Sequence, residues 1–208
     1  MQNRMGVELE YNREEFLRYR FNSFLVERFD LPSQDYYSSL TAEGFIGLKS
    51  ALSDINNILT LKVTLSFADW LADHYVLDKA ARSELHRMVL EAKPNSNGYD
   101  VWLGYPVTFV GEVKCNIPIN NGSVYGSAQR HGIEKDVVGL LKGKRKASIN
   151  PESCPKYLAF LDIPQIRAAN EHLLSVSSFC RDHLVFVEGE QELTRTDIVY
   201  GVYVSANV

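Results

Sequence analysis

Asp100, Glu112 and Lys114 are the residues whose types and spacing could do chemistry together. They fall in the stretch YDVWLGYPVTFVGEVKC, where two β-rich runs, Tyr99–Leu103 and Val107–Cys115, flank Gly104-Tyr105-Pro106, a connection with turn chemistry. Alternate residues of a strand share a face, so Glu112 and Lys114 point one way and Val113 the other. Asp100, on the neighbouring run, can meet them. Two carboxylates offer hard oxygen ligands of the kind that Mg²⁺ (or Mn²⁺) takes together with waters and substrate phosphates. Such an ion acidifies water and neutralises charge building on a phosphate, and an ammonium close by orients that water or stabilises the same charge. The chemistry implied is metal-assisted phosphodiester hydrolysis.

A bare E-x-K tripeptide is also what a solvent-facing pair on an amphipathic strand looks like. Three neighbouring features set this one apart: Asp100 follows the loop Pro94–Gly98, Phe109-Val110-Gly111 makes an apolar lead-in, and a basic helix comes next. An acid, a spacer and then acid-any-lysine on the next strand resembles the pattern of the PD-(D/E)XK nuclease superfamily, with Tyr99 standing where that pattern has proline. The resemblance implies a restriction-endonuclease-like core, α/β with a central mixed sheet flanked by helices. It implies Mg²⁺ held by Asp100 and Glu112 with help from the Val113 carbonyl, and Lys114 orienting or activating water. A helix before the hairpin often contributes a glutamate in that family, which makes Glu84 an optional further ligand. A glutamine or tyrosine often follows the E-x-K strand there, which makes Gln129 and its neighbour Arg130 candidates for nucleic-acid contact.

The elements that must position these residues are legible as periodicities. Asn12 to Asp30 place Leu17, Phe21, Phe24 and Leu25 on one helical face, and Phe45, Leu48, Leu52, Ile55 and Leu59 recur at steps of three and four, which is an amphipathic pattern. Ser66 with Asp69 three residues on resembles a capping box opening a helix with Phe67, Trp70, Leu71 and His74 on one face, where His74 is expected to serve packing. Asp78 caps a further helix, Lys79 to Lys93, with Ala81, Leu85, Met88 and Ala92 as its apolar stripe and Glu84 and Glu91 on one flank. Beyond the hairpin, Ile133, Val137, Leu140 and Leu141 define a buried helical face, with Lys135, Gly139, Lys142 and Lys146 opposite. Lys144 and Arg145 make the end of this helix basic. Cations are favoured at a helix C-terminus by the dipole alone, and the functional reading of Lys135, Lys142, Lys144, Arg145 and Lys146 is phosphate positioning. Gly143 argues against a regular helix as far as Lys146. Lys156–Leu161 reads as a buried central strand, followed by a helix with Ile166, Ala169, Leu173, Val176 and Cys180 on one side, then strands at Leu184–Val187 and Ile198–Val204. The expected order from Asp78 onward is helix, three strands, helix, strand, helix, strand.

A chain of 208 residues with 45% hydrophobic content can bury one good core, so a single domain over 1–208 is expected, with 1–77 a helical N-terminal portion and 78–208 the nuclease-like core. The net charge of −4 gives no global basic field, so a nucleic-acid partner must be met by a local patch. Cys115, Cys154 and Cys180 have no metal-ligand spacing and are odd in number, which fits reduced thiols. No apolar signal core opens the sequence and no run approaches a membrane span, so a cytoplasmic location and no membrane partner are expected. G-x-x-x-x-G-K-[ST], H-E-x-x-H and G-x-S-x-G are all absent. The expectation is a Mg²⁺-dependent nuclease acting on DNA, with a second copy of the chain or another protein as a further partner. The alternatives are a nuclease-like module that binds nucleic acid or protein without cutting, and an unrelated interaction protein whose E-x-K is chance.

Overall fold

Asn12 opens the first helix. Its side chain accepts the amides of Glu14 and Glu15 at 3.0 and 3.2 Å, donors that a helix start leaves without partners. The computed structural model describes residues 11–92, 98–104, 108–119, 122–144, 147, 149–189 and 192–206. In it α1 runs over Arg13–Phe29, α2 over Tyr36–Ser39 and α3 over Ala42–His74. The chain divides after Asp54 into two compact units. In the first, Asn22 ties α1 to α2 by bonding Asp35 and the Tyr37 amide, both at 3.0 Å, and Phe21 and Tyr37 both pack on Phe45. None of its described residues is fully buried.

The second unit is a five-stranded mixed sheet with helices on both faces. Its elements are the last part of α3, α4 (Lys79–Glu91), β1 (Val101–Leu103), β2 (Phe109–Lys114), α5 (Ser127–Lys142), β3 (Lys156–Leu161), α6 (Pro164–Val176), α7 (Ser178–His183), β4 (Leu184–Phe186) and β5 (Val199–Val204). The strands lie in the order β1-β2-β3-β5-β4, with β1 antiparallel to β2 and every other pair parallel. From α4 onward the order is therefore helix, two strands, helix, strand, two helices, two strands. Only two strands precede α5 where three were expected, and two rather than one close the order; α5 is the crossover that the parallel pair β2 and β3 requires.

Each face of the sheet carries its own apolar cluster. On one side Phe67, Leu71, Leu85 and Val89 pack on Phe109, Val113 and Tyr157; on the other Ile133, Val137, Leu140, Ile166 and Leu173 pack on Val110, Leu158 and Phe160. β3 is covered on both faces and is apolar almost throughout, as a buried parallel strand should be. Its one charge, Lys156, ends on the carbonyls of Cys154 and Thr196 at 2.9 and 2.6 Å. Gly111 is fixed by contact, since a Cβ there would lie 2.5 Å from the Phe67 ring.

Several local expectations change. Ser66 starts no helix: α3 passes through it, because Val63, Phe67, Ala68, Leu71 and Ala72 form one buried stripe. Asp69, instead of completing a cap, takes Arg82 at 3.3 Å and His86 Nε2 at 2.8 Å from α4. Asp78 does cap α4, accepting the Ala81 amide at 2.8 Å, but the buried face is Leu85 and Val89 rather than Met88 and Ala92. Val176 is exposed because Ser177 interrupts the helix and caps α7. His74 stacks on Trp70 with ring centres 5.2 Å apart, a packing role, and burial lowers its pKa. Among the described residues no helix is long and apolar enough to cross a membrane.

Candidate functional site

The hairpin register sets Val101 opposite Gly111 and Leu103 opposite Phe109. One step further along it, Asp100 stands across from Glu112. The ladder ends there, and the Val113 amide donates instead to Asp100 Oδ2 at 2.8 Å. The N–H and C=O of one strand residue point to the same edge, so the Val113 carbonyl is also turned toward the Asp100 side.

Glu112 and Lys114 share the face of Val110, the face covered by α5. Lys114 forms an ion pair with Asp136 of α5, one residue before the buried Val137. Glu112 forms an ion pair with Lys144, just past Gly143, whose φ of 85° ends the helix. The Lys144 ammonium also donates to the Gly98 carbonyl at 2.7 Å and lies 5.3 Å from the centre of the Tyr99 ring. Tyr99 in turn donates its hydroxyl to the Gly139 carbonyl at 3.4 Å. Three carboxylates, Asp100, Glu112 and Asp136, thus face two ammonium groups, with one negative charge in excess.

The pairings leave Asp100 without an ammonium of its own, and the crowding tells most on Glu112. The residue is 6% exposed. Its Oε1 is buried with no aligned hydrogen bond, the Lys144 contact being an ion pair only. Burial first, then the charge of Asp100, push its pKa up to about 8 against the opposing pull of Lys144. Asp100 is exposed as a residue, but its carboxyl, folded back onto the Val113 amide, is desolvated enough to be raised as well, with that amide and Lys144 acting the other way. Carboxylates held at raised pKa in one small volume suit proton transfer near neutral pH or the binding of a cation that relieves their repulsion. The side chains able to hold such a cation are Asp100 and Glu112. Among the described residues no group of three His, Cys, Asp or Glu side chains is gathered at metal-binding distance.

Of the residues singled out from the sequence, the structure brings Asp100, Glu112, Val113 and Lys114 together. It does not bring Glu84 into their contacts: both its oxygens are taken by Arg87, at 2.9 and 2.6 Å, on its own helix. Gln129 accepts the Gly126 amide at 2.9 Å and donates to the Ile117 carbonyl at 2.7 Å, which fastens the segment after β2 to the start of α5. Arg130 is half-buried, and Lys135 and Lys142 are exposed on α5. Lys144 departs most from expectation, since it turns into the acid cluster rather than lying with a solvated basic patch. Arg145, Lys146 and most of the Pro94–Gly98 loop lie outside the described residues.

Asp136 was not legible as a site residue. Its only sequence signal is an acid beside the apolar stripe of the helix that follows E-x-K. A groove of about 530 Å³ on α4, lined by Arg82, His86, Arg87 and Glu91 among others, is separate from the acid cluster and lies along a single helix. No family model matches the chain, and neither a curated protein nor a solved structure does.

Proposed function

We propose that this protein is a nuclease that hydrolyses phosphodiester bonds in DNA with Mg²⁺ or Mn²⁺, of the PD-(D/E)XK, restriction-endonuclease-like type, and that it works in the cytoplasm. The observation that carries the reading is the Glu112 carboxylate. It is buried, its Oε1 has no aligned hydrogen bond, it lies beside Asp100, and it shares a strand face with Lys114. Burying two carboxylates side by side against a single ammonium is unfavourable, and a hard divalent cation is the ligand that relieves both at once. The donor set fits: Asp100 and Glu112 would hold the ion, with the Val113 carbonyl edge beside them. When bound, the ion supplies positive charge against the phosphate and acidifies water.

The remaining work falls to the chain's own side chains. The Lys114 ammonium stabilises negative charge on the attacked phosphate, and Asp136 holds that ammonium in place. Lys135 and Lys142 on α5, with Arg130 in its first turn and Arg145 and Lys146 following in the sequence, would meet flanking phosphates. The local order, an acid before β1, E-x-K on β2, the helix α5 and the parallel strand β3, supports the superfamily reading. The site also lies toward the carboxyl end of β2, where parallel sheets tend to bind ligands.

One observation favours a second reading, a nuclease-like module that binds nucleic acid or protein without cutting. Both ammonium groups of the site are matched to carboxylates, Lys114 to Asp136 and Lys144 to Glu112. The experiment that decides is cleavage of linear, supercoiled and single-stranded DNA and of RNA with Mg²⁺ or Mn²⁺, comparing wild type with Glu112→Gln and Lys114→Ala. Lys114 contributes mainly to charge that builds in the transition state. Lys114→Ala should therefore lower turnover by about 10² or more and leave affinity nearly unchanged. Binding without cleavage by the wild type would favour the module. Cleavage that survives both substitutions at the wild-type rate would remove the hairpin as the catalytic centre.

A further inference from the structure

The Lys144 ammonium occupies a cage with the features of a cation site. Glu112 Oε1 meets it as an ion pair, the Gly98 carbonyl accepts from it at 2.7 Å, and Tyr99 presents its ring at 5.3 Å. A carboxylate, a carbonyl oxygen and a π face are each ligands for positive charge. The carboxylate is the buried one on which the metal reading rests, with its side chain 8% exposed. An ammonium in contact with that oxygen and a divalent ion on the same oxygen would repel strongly in so buried a place. Lysine is a compact point charge on a flexible stem, and its side chain here is 25% exposed, so it has a way out toward solvent.

Charge balance points the same way. With Lys144 in place, Asp100 and Glu112 share one positive charge. With a divalent ion in its stead they share two, while Lys114 and Asp136 balance each other in either case. We propose that Lys144 is the resident counter-ion of the metal-free site, holding Glu112 beside Asp100 and withdrawing when a divalent cation binds, so that loading the site exchanges one cation for another. The inference rests on the metal site of the nuclease reading. It makes Lys144 a competitor of the metal and not a phosphate contact in the resting protein.

The test is direct titration of the full chain with Mn²⁺ at pH 8 without nucleic acid, followed by calorimetry and by the magnetic resonance signal of the free ion. Lys144→Met should bind Mn²⁺ at least tenfold more tightly than wild type, and Lys144→Arg, which keeps the charge, should not. In the unmutated protein, acetylation of Lys144 read by peptide mass spectrometry should rise on adding Mn²⁺. This second measurement decides the matter even if the methionine variant fails to fold. A folded Lys144→Met that binds Mn²⁺ no more tightly than wild type, or Lys144 acetylation that Mn²⁺ leaves unchanged, overturns the exchange while leaving the metal site standing. Folded protein that takes up no Mn²⁺ with or without the lysine overturns the metal site, and the exchange with it.

Discussion

Replacing Glu112 by glutamine should make the metal-free protein more stable, and increasingly so as pH rises. Glu112 gives up its proton near 4.5 in the unfolded chain but only at about 8 in the folded protein. Below the unfolded value both states hold the proton and the residue contributes no pH dependence. Between the two values only the unfolded chain releases it, so folding stability falls as pH rises, at roughly 1.4 kcal/mol per unit. The loss reaches roughly 5 kcal/mol once the folded pKa is passed. Glu112 is 6% exposed, so solvent screening removes little of this. Glutamine has the shape of the protonated acid and does not ionise. Its advantage should be small near pH 5 and about 4 kcal/mol at pH 8, a rise in melting temperature on the order of 10 °C for a chain of this length. The assay is paired thermal melts of wild type and Glu112→Gln in chelator from pH 5 to 9, where taking the difference cancels titrations common to both. A difference that stays flat across that range, or a glutamine variant less stable at pH 8, would refute the reasoning.

Saturating Mn²⁺ should raise the wild-type melting temperature, with a stabilisation of about 2.7 kcal/mol at a hundredfold excess over Kd. Asp100→Ala should abolish that gain, which a thermal shift assay reads directly. Replacing Lys142, Arg145 and Lys146 together by alanine should weaken binding to all DNA sequences alike and make the salt slope shallower by up to about 2–3, with folding preserved; fluorescence anisotropy against salt concentration measures it. Gly111→Ala should destabilise by about 1–3 kcal/mol in urea unfolding, because its Cβ would meet the Phe67 ring, a clash at 2.5 Å.

What was legible in the sequence was whatever depends on one element at a time. Period-two alternation placed Glu112 and Lys114 on one strand face, and the turn residues placed Asp100 at the start of the run that pairs with it, one residue before β1. The Asp78 cap and the Gly143 break were likewise local signals. Asp136 and Lys144 join the site only because α5 packs across β2, a tertiary approach that no spacing encodes. For Lys144 the local rule pointed elsewhere, since a basic helix end is satisfied by the dipole alone. The same limit explains Ser66, where a good capping pattern loses to a buried stripe running through it.

The strand FVGEVK is also where local and global rules conflict. Every residue from Phe109 to Val113 is buried, yet one is a glutamate, which a strand covered on both faces by apolar side chains should not carry. Its neighbours do not remove the conflict. Lys144 pulls the Glu112 pKa down, but burial and Asp100 push it up by more. The strand stays in place because Phe109 and Val113 are locked into one apolar cluster and Val110 into the other, so β2 cannot slip to bring Glu112 into water without exposing them. A fold that held this residue only for stability would do better with glutamine or an apolar side chain. Keeping an ionisable acid there is consistent with a role that needs its charge, and the places where a sequence breaks a local rule without local compensation are where function is expected. The pH dependence of the Glu112→Gln difference therefore bears on function as well as on stability. If the glutamine variant gains stability at pH 8 and loses Mn²⁺ binding together, the destabilising charge and the metal ligand are the same group.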